Sequence, residues 1–492
     1  MSTTTDTQLL AEEAWTGKIF STGGWVGAPA TAETIEPATG RVLGTVGVAD
    51  AEVVAAAASD AARAQREWAR LPFTERRDVM LRAAALFAEH GPEIRDWVVR
   101  ESGAIPPKGD VEVGAAIGEC HEAAALTSQA SGVVLPSPEP GRTSSAARLP
   151  VGVVGVIAPW NFPLVLAMRS VAPALALGNA IVLKSDPNTP VCGGVVVAQI
   201  FAAAGLPDGL LHVFTGGADV GEAMTADPNI AMISFTGSTA VGRKVGEAAG
   251  RNLKRVALEL GGNNPLIVLD DADLDAAASA GAWGSFLHQG QICMAAGRHI
   301  VHESLVEEYL VKLTERAARL TAGNPAVDEV ALGPIINETQ AASVQRIVDD
   351  SREAGATVTV GGERNGLFFP ATVLRDVTAE MPAWRQEIFG PVAPVTAFST
   401  DEQAVALAND TDLGLTAAIQ SGSPERAWAL GEQLHAGMVH VNDQTVNDWP
   451  SAPFSGVGSS GNGIAFGGPA SIEAFTEWHW FTSRDRGVQY PF

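Results

Sequence analysis

One cysteine, one glutamate and one asparagine occupy places in this chain where their side chains could carry out acyl chemistry. Cys293 closes the segment Gly290-Gln291-Ile292-Cys293 at the end of an apolar helical stretch. A cysteine is a far better nucleophile than a serine at neutral pH, and local dipoles can lower its pKa. Glu259 ends an apolar strand and is followed by Gly261-Gly262. Ligands of open α/β sheets collect beyond the carboxyl ends of strands, and a carboxylate partly withdrawn from water there gains basicity. Asn161 lies in Ala158-Pro159-Trp160-Asn161-Phe162-Pro163, at a strand-to-helix junction between two prolines. Its amide N–H can point at a developing oxyanion. Each residue also has a plainer explanation. Taken alone, Asn161 fits a helix N-cap better, Glu259 could equally cap the turn after it, and Cys293 could be a buried structural thiol. The structural explanation is adopted for Cys120 and Cys192, which lie inside helical patterns.

A second set of residues suits a nucleotide. Phe235-Thr236-Gly237-Ser238-Thr239-Ala240-Val241-Gly242 runs from a strand into a helix. Gly237, Ser238 and the helix N-terminus can hold a pyrophosphate by backbone N–H and dipole. Thr239 replaces the second glycine of a GxGxxG fingerprint, so this signal is weak by itself. Lys184, ending a strand over 180–183, can reach ribose hydroxyls or be an ordinary surface lysine.

Placing these groups takes a regular alternation of elements. Apolar spacing predicts helices over 51–67 and 74–90. A β-branched run from Val151 to Ile157 is followed by a helix over about 164–177. Strands over 180–183, 211–214, 232–235 and 256–260 then alternate with helices over 190–204, 217–225 and 240–249. Such alternation indicates βαβ units and a parallel sheet. A second alternation follows Gly262: strand 265–269, helix 274–289, strand 299–302 and helix 305–320. The break near Gly261 predicts a second α/β domain. With 492 residues the chain exceeds what one core supports.

The composition narrows the function classes. A net charge of −24 repels nucleic acid and anionic membranes, so neither is an expected partner. Three scattered cysteines make no disulfide framework and fit a reducing cytoplasm. Residues 1–15 lack the basic start and apolar core of a secretory signal, and no apolar run reaches membrane-spanning length. Glycine occurs 52 times, in groups such as Gly216-Gly217 and Gly261-Gly262, which suggests backbone approaching a ligand or turning tightly. No His/Asp/Glu cluster has metal-ligand spacing.

Taken together, the segments resemble the aldehyde dehydrogenase superfamily along nearly the whole chain. Pro-Trp-Asn-Phe-Pro, Phe-Thr-Gly-Ser, Glu-Leu-Gly-Gly and Gly-Gln-x-Cys occur in family order. Glu387-Ile388-Phe389-Gly390-Pro391, Pro37-Ala38-Thr39-Gly40 and Pro453-Phe454-Ser455-Gly456-Val457 join them. The resemblance implies Cys293 as nucleophile, Asn161 with the Cys293 backbone N–H as oxyanion donors, and Glu259 as general base. It implies Glu387 and Phe389 against the nicotinamide ribose and ring, with Trp160, Lys184, Gly237 and Ser238 completing an NAD site that could also accept NADP. The implied fold is α/β, with three parts. A Rossmann-type cofactor domain takes residues 1–123 and 147–260, and a catalytic domain takes 261–455. A small β oligomerisation arm takes 124–146 and 477–492. Homodimers or homotetramers are implied.

The chain also departs from the family pattern. Lys184-Ser185-Asp186-Pro187 lacks the glutamate that in many relatives clasps the ribose diol, leaving Asp186 to oppose a 2′-phosphate. A narrower resemblance is to bacterial benzaldehyde and vanillin dehydrogenases, carried by 174–179, Asp186-Pro187, 191–194, 284–289 and 442–448. It implies an aromatic aldehyde substrate. Helical spacing from Asn161 would put Val165 and Arg169 at the mouth, with Phe162 and Trp449 as flat walls. Arg169 could bind a ring hydroxyl or form a salt bridge away from the substrate. Oxidation of aliphatic aldehydes or semialdehydes, acyl transfer to CoA, and a non-catalytic binding role are the alternatives.

Overall fold

Val153–Ile157 is buried at every position, as a β-branched run must be when both faces of its strand are covered. It is the centre of the first of two large sheets in the computed structural model, which describes residues 8–492. The absence of a secretory signal, as read from residues 1–15, falls outside the described residues over 1–7. The parallel core of this nine-stranded sheet comprises β1 (Val153–Ile157), β2 (Ala180–Ser185), β3 (Leu211–Thr215), β4 (Ile230–Thr236) and β5 (Arg255–Glu259). Their spatial order is β5-β4-β1-β2-β3, with every pair parallel. The chain moves outward from β1 for two strands, then returns to its other side. Connections therefore diverge beyond the carboxyl ends of β1 and β4 and open a crevice, as in a Rossmann-type half. The expected α/β class holds.

Residues 260–263 carry the chain from β5 into the second, seven-stranded sheet. This contains β6 (Asn264–Val268), β7 (Ala296–His302), β8 (Thr357–Val360), β9 (Thr372–Arg375), β10 (Val392–Phe398), β11 (Thr416–Gln420) and β12 (Met438–Val441). Its order is β8-β9-β10-β7-β6-β11-β12. A third sheet has three strands, Gly132–Val134, Arg142–Pro150 and Thr476–Arg484. The last two are antiparallel in continuous register from Thr476↔Pro150 to Arg484↔Arg142.

Four helices position the site: α1 (Pro106–Leu126), α2 (Pro163–Ala176), α3 (Thr239–Arg251) and α4 (Leu274–Phe286). Every residue of α2 is buried, Arg169 included, because the helix is wrapped by the first sheet and by α1. Two expected helices differ in detail. The one over 190–204 opens with a π-turn, Val191–Val195, before Val196–Ala203. There the buried Glu101 carboxylate accepts the N–H groups of Val191 and Cys192 at 2.9 and 2.7 Å. The one over 274–289 stops at Phe286, because His288, Gln289 and Gly290 are all left-handed (φ 48°, 56° and 66°). Gln289 is held there by donating to the carbonyls of Gly103 and Pro334, both at 3.0 Å. Among the described residues, no helix is long and apolar enough to cross a membrane and no cluster could hold a metal ion.

Candidate active site

Asn161 lies on the turn after β1 and does not cap α2. The N-cap is Phe162, with no side-chain cap bond, and Pro163 takes the first helical position. The open N–H groups of Leu164 and Val165 donate instead to Glu112 Oε2, across from α1, at 2.9 and 3.3 Å. The helix-cap explanation of Asn161 therefore falls. Its side-chain amide, buried beside the nucleophile segment, donates to the Gln291 carbonyl at 3.0 Å. The NH₂ group carries a second hydrogen for another acceptor.

The Cys293 segment is held from three sides. Asn264 Nδ2 donates to the carbonyls of Cys293 and Ala295 at 2.8 and 2.7 Å, and its Oδ1 accepts from Thr416 N–H at 3.1 Å. Gln291 Oε1 accepts from Ile336 N–H at 2.9 Å. The glycine pair makes room on the third side. A Cβ at Gly262 would stand 2.4 Å from the Cys293 carbonyl oxygen, and one at Gly261 would stand 2.1 Å from Glu387 Oε2. The thiol itself is half-buried on the cavity wall. Burial, with the charges of Glu387 and Glu259, pushes its pKa up to about 12, and Arg169 only partly opposes this. Cys120 and Cys192 are fully buried thiols, both raised by burial.

Glu259 is 3% exposed. Neither carboxyl oxygen has a hydrogen-bond partner among the described residues. It caps no turn, since the Leu260 N–H donates to the Ser460 carbonyl at 2.9 Å and the Gly262 N–H to Glu387 Oε1 at 3.1 Å. Burial pushes its carboxyl well above the ordinary range, partly offset by the Arg169 charge and by the backbone N–H of nearby Gly456. A buried acid left unpaired within electrostatic reach of a thiol is suited to accepting protons.

Cys293 and Asn161 share the wall of a cavity of about 340 Å³, within the range of small-molecule sites. Phe162, Val165, Leu166, Trp283, Leu287, Ile292 and Phe454 give it an apolar lining. Arg169 is also on the wall, but it is already engaged. It pairs with Asp448, lies 3.8 Å from Glu119 Oε1, and holds its guanidinium 4.2 Å from the Phe454 ring centroid. Burial lifts the Glu119 carboxyl to about 7 against the pull of Arg169. Trp449 is not on this wall. It heads a turn closed by the Ala452 N–H at 2.9 Å, and its ring stays 62% exposed over an adjoining shallow depression. Asp448 and Phe454 border both spaces.

The dinucleotide residues gather at the β1/β4 crevice and the facing loop. Trp160 and Phe389 meet edge-to-face, ring centroids 5.4 Å apart. Burial lifts the Glu387 carboxyl to about 7 despite the bond from Gly262. Lys184 is no surface lysine. It is 7% exposed, its pKa is lowered by burial, and its ammonium makes no hydrogen bond or ion pair among the described residues. Ser238 caps α3 through the Val241 N–H at 3.4 Å. Gly237 cannot offer its N–H to a phosphate, because that group donates to the Glu259 carbonyl at 3.0 Å within the sheet. The first N–H groups of α3 remain open to an anion. An unpaired buried ammonium, an open helix N-terminus and an aromatic pair at one switch point fit a dinucleotide.

Sequence reasoning missed Lys108, Glu112, Glu119, Asn264 and Asp448. Each is a common polar residue whose partner lies far along the chain, and the i,i+4 spacing of Lys108 and Glu112 is indistinguishable from a solvent-facing pair. The raised thiol pKa sets a test without cofactor. Iodoacetamide should modify Cys293 slowly at pH 7, rising about tenfold per pH unit with no plateau below pH 9. A plateau near pH 7 would show that burial and the two carboxyls do not raise the thiol.

The aldehyde dehydrogenase family model matches residues 25–481. A vanillin dehydrogenase of Amycolatopsis sp. (strain ATCC 39116 / 75iv2) is 54% identical over 98% of this chain and 100% of that protein. The Pseudomonas putida benzaldehyde dehydrogenase [NAD(+)] is 53% identical over 97% of this chain and 98% of that protein. The structure of a salicylaldehyde dehydrogenase from Pseudomonas putida G7, complexed with salicylaldehyde, superposes with a TM-score of 0.93 at 33% identity. It covers 96% of this chain and 99% of that one. On these matches and on the site geometry, the chain belongs to the aldehyde dehydrogenase family.

Proposed function

We propose that the chain oxidises an aromatic aldehyde to its carboxylic acid with NAD, through a thioester on Cys293. One observation carries the reading: Cys293 and Asn161 share one apolar cavity, with the unpaired Glu259 carboxyl within electrostatic reach of the thiol. Relatives named for vanillin, benzaldehyde and salicylaldehyde support an aromatic ring in that cavity. The aromatic part of the lining, Phe162, Trp283 and Phe454, suits flat apolar substrates.

The residues divide the work as follows. The Cys293 thiol gives up its proton to solvent, and the thiolate sulfur adds to the carbonyl carbon. The Asn161 amide and the Cys293 backbone N–H donate to the oxyanion, each such donor lowering the barrier by about 3–4 kcal/mol in comparable sites. NAD, when bound, supplies the hydride acceptor, with Trp160, Lys184, Ser238, Glu387 and Phe389 as its contacts. Glu259 then takes a proton from water, hydroxide adds to the thioester carbon, the carbon–sulfur bond breaks to release the acid and the Cys293 thiolate, and Glu259 returns its proton to solvent. A water-activating carboxyl has no task in transfer to CoA, which favours hydrolysis.

We read residues 1–123 with 147–260 as the cofactor unit and 261–455 as the catalytic unit, except that the arm strand Arg142–Pro150 runs four residues past the boundary at 147. The three free cysteines support a cytoplasmic enzyme. The three-stranded sheet is the proposed oligomerisation arm, since Trp478, Trp480, Phe481, Val133 and Val134 are all exposed on it. Light scattering should give a dimer or tetramer of the 50.9 kDa chain, and truncation after Phe475 should give a monomer. An intact chain that runs as a monomer refutes the arm.

Glu259→Gln should release NADH in a burst equal to the active sites and then stall at the thioester. A steady state as fast as wild type, without a burst, would assign the base elsewhere. In a substrate panel followed by NADH absorbance, benzaldehydes should exceed short aliphatic aldehydes in kcat/KM, and NAD should exceed NADP because Asp186 adds negative charge beside Lys184. An aliphatic preference would refute the aromatic assignment.

A further inference from the structure

Asn161 is held by residues outside its own segment. Lys108, in the first turn of α1, donates from Nζ to the Asn161 backbone carbonyl at 2.8 Å. One turn on, Glu112 pairs with that ammonium, and the two side chains are 1% and 0% exposed. The second oxygen of Glu112 receives the N–H groups of Leu164 and Val165 at the start of α2. The Lys108 ammonium also stands 4.3 Å from the Phe162 ring centroid. His288 meets the same ring edge-on at 5.5 Å, its imidazole held neutral by burial and by the Lys108 charge. His288 begins the left-handed run that leads to Cys293. One buried pair thus touches the turn carrying the oxyanion donor, the start of the helix behind it and the aromatic wall beside it.

A buried ion pair is a poor stabilising device, because desolvating two charges offsets most of their attraction. Leucine and methionine would fill the same space without that cost. The bonds made by this pair fix the orientation of a peptide group. With its carbonyl oxygen tied to Lys108, the 161–162 peptide plane is set, and with it the direction in which the Asn161 side chain leaves the backbone. The Gln291 carbonyl then holds one amide hydrogen, leaving the other directed into the cavity. We propose that the Lys108–Glu112 pair is a positioning device for Asn161, aiming its amide at the oxyanion formed on Cys293. The inference rests on reading Asn161 as the oxyanion donor.

The test is a double-mutant cycle on the pre-steady-state NADH burst at saturating benzaldehyde and NAD. Asn161→Ala alone tests the underlying reading and should slow the burst by about 100- to 1,000-fold. Lys108→Met should slow it by about a hundredfold, the effect of a donor displaced by about 1 Å. Added to Asn161→Ala, Lys108→Met should cost less than a further twofold or so, as expected of groups acting through one another. Alkylation of Cys293 by iodoacetamide forms no oxyanion, so Lys108→Met should leave its rate within about twofold of wild type. Because Lys108→Met strands the Glu112 charge, Lys108→Met/Glu112→Gln is measured alongside and should fold and show the same slow burst. Additive losses, a parallel fall in alkylation, or an undiminished burst in either folded variant would overturn the proposal. If neither variant folds, the pair is structural and the proposal fails. An Asn161→Ala enzyme with a full burst would instead sink the reading beneath it.

Discussion

Withdrawing the Glu259 carboxyl from water with neither oxygen paired costs several kcal/mol, and such a group persists only where the surrounding fold over-determines it. Much of the centre of the molecule meets that constraint. Glu259 is the last residue of β5, so its backbone is fixed by the sheet, and the Gly237 N–H is committed to its carbonyl. The chain then crosses to the second sheet through two glycines, whose missing side chains leave room for Glu387 and for the Cys293 backbone. Asn264, first residue of the second sheet, holds the Cys293 and Ala295 carbonyls. Base and nucleophile are thereby fixed to adjoining ends of two separate sheets, with fewer than five residues of chain between the sheets.

The strands and helices were legible because their signals are local. The β-branched runs, the turn at Gly261 and the spacing of Tyr309, Leu310 and Leu313 report periodicity and burial directly. Cys293, Glu259 and Asn161 were legible as an ordered set of motifs, although each alone had a structural explanation, for Asn161 the better one. What failed depended on contacts across the chain. Whether Asn161 caps α2 is decided by Glu112, and whether Gly237 has a free N–H is decided by its partner strand. Trp449 was placed by its aromatic character, but the turn it heads turns its ring outward. Local backbone dipoles at the Cys293 segment work toward a lowered thiol pKa. The local sequence does not reveal the burial and the two carboxyls that raise it.

Strain is concentrated where the nucleophile is held. Three consecutive left-handed residues, His288, Gln289 and Gly290, precede Cys293, and Phe389 across the crevice is left-handed as well. For residues other than glycine this conformation costs about 1–2 kcal/mol each. The Gln289 bonds to Gly103 and Pro334 and the close approach of Gly290 to the Gly390 carbonyl hold the run in place. The thiol therefore sits on a segment anchored by three distant parts of the chain and not on a flexible loop.

The charge arrangement around the cavity bears on how the reaction ends. Both basic side chains on its wall are already matched, Lys108 by Glu112 and Arg169 by Asp448 and Glu119, while Glu259 and Glu387 add further acid within reach of the sulfur. An aldehyde enters without charge and meets no penalty there. The acid it becomes is an anion among carboxyls, with no unmatched cation on the wall to retain it. Ground-state affinity thus falls as the carbonyl is oxidised, and the withdrawal from water that makes Glu259 basic also disfavours the charged product, which helps to expel it and keeps it from competing with the next substrate.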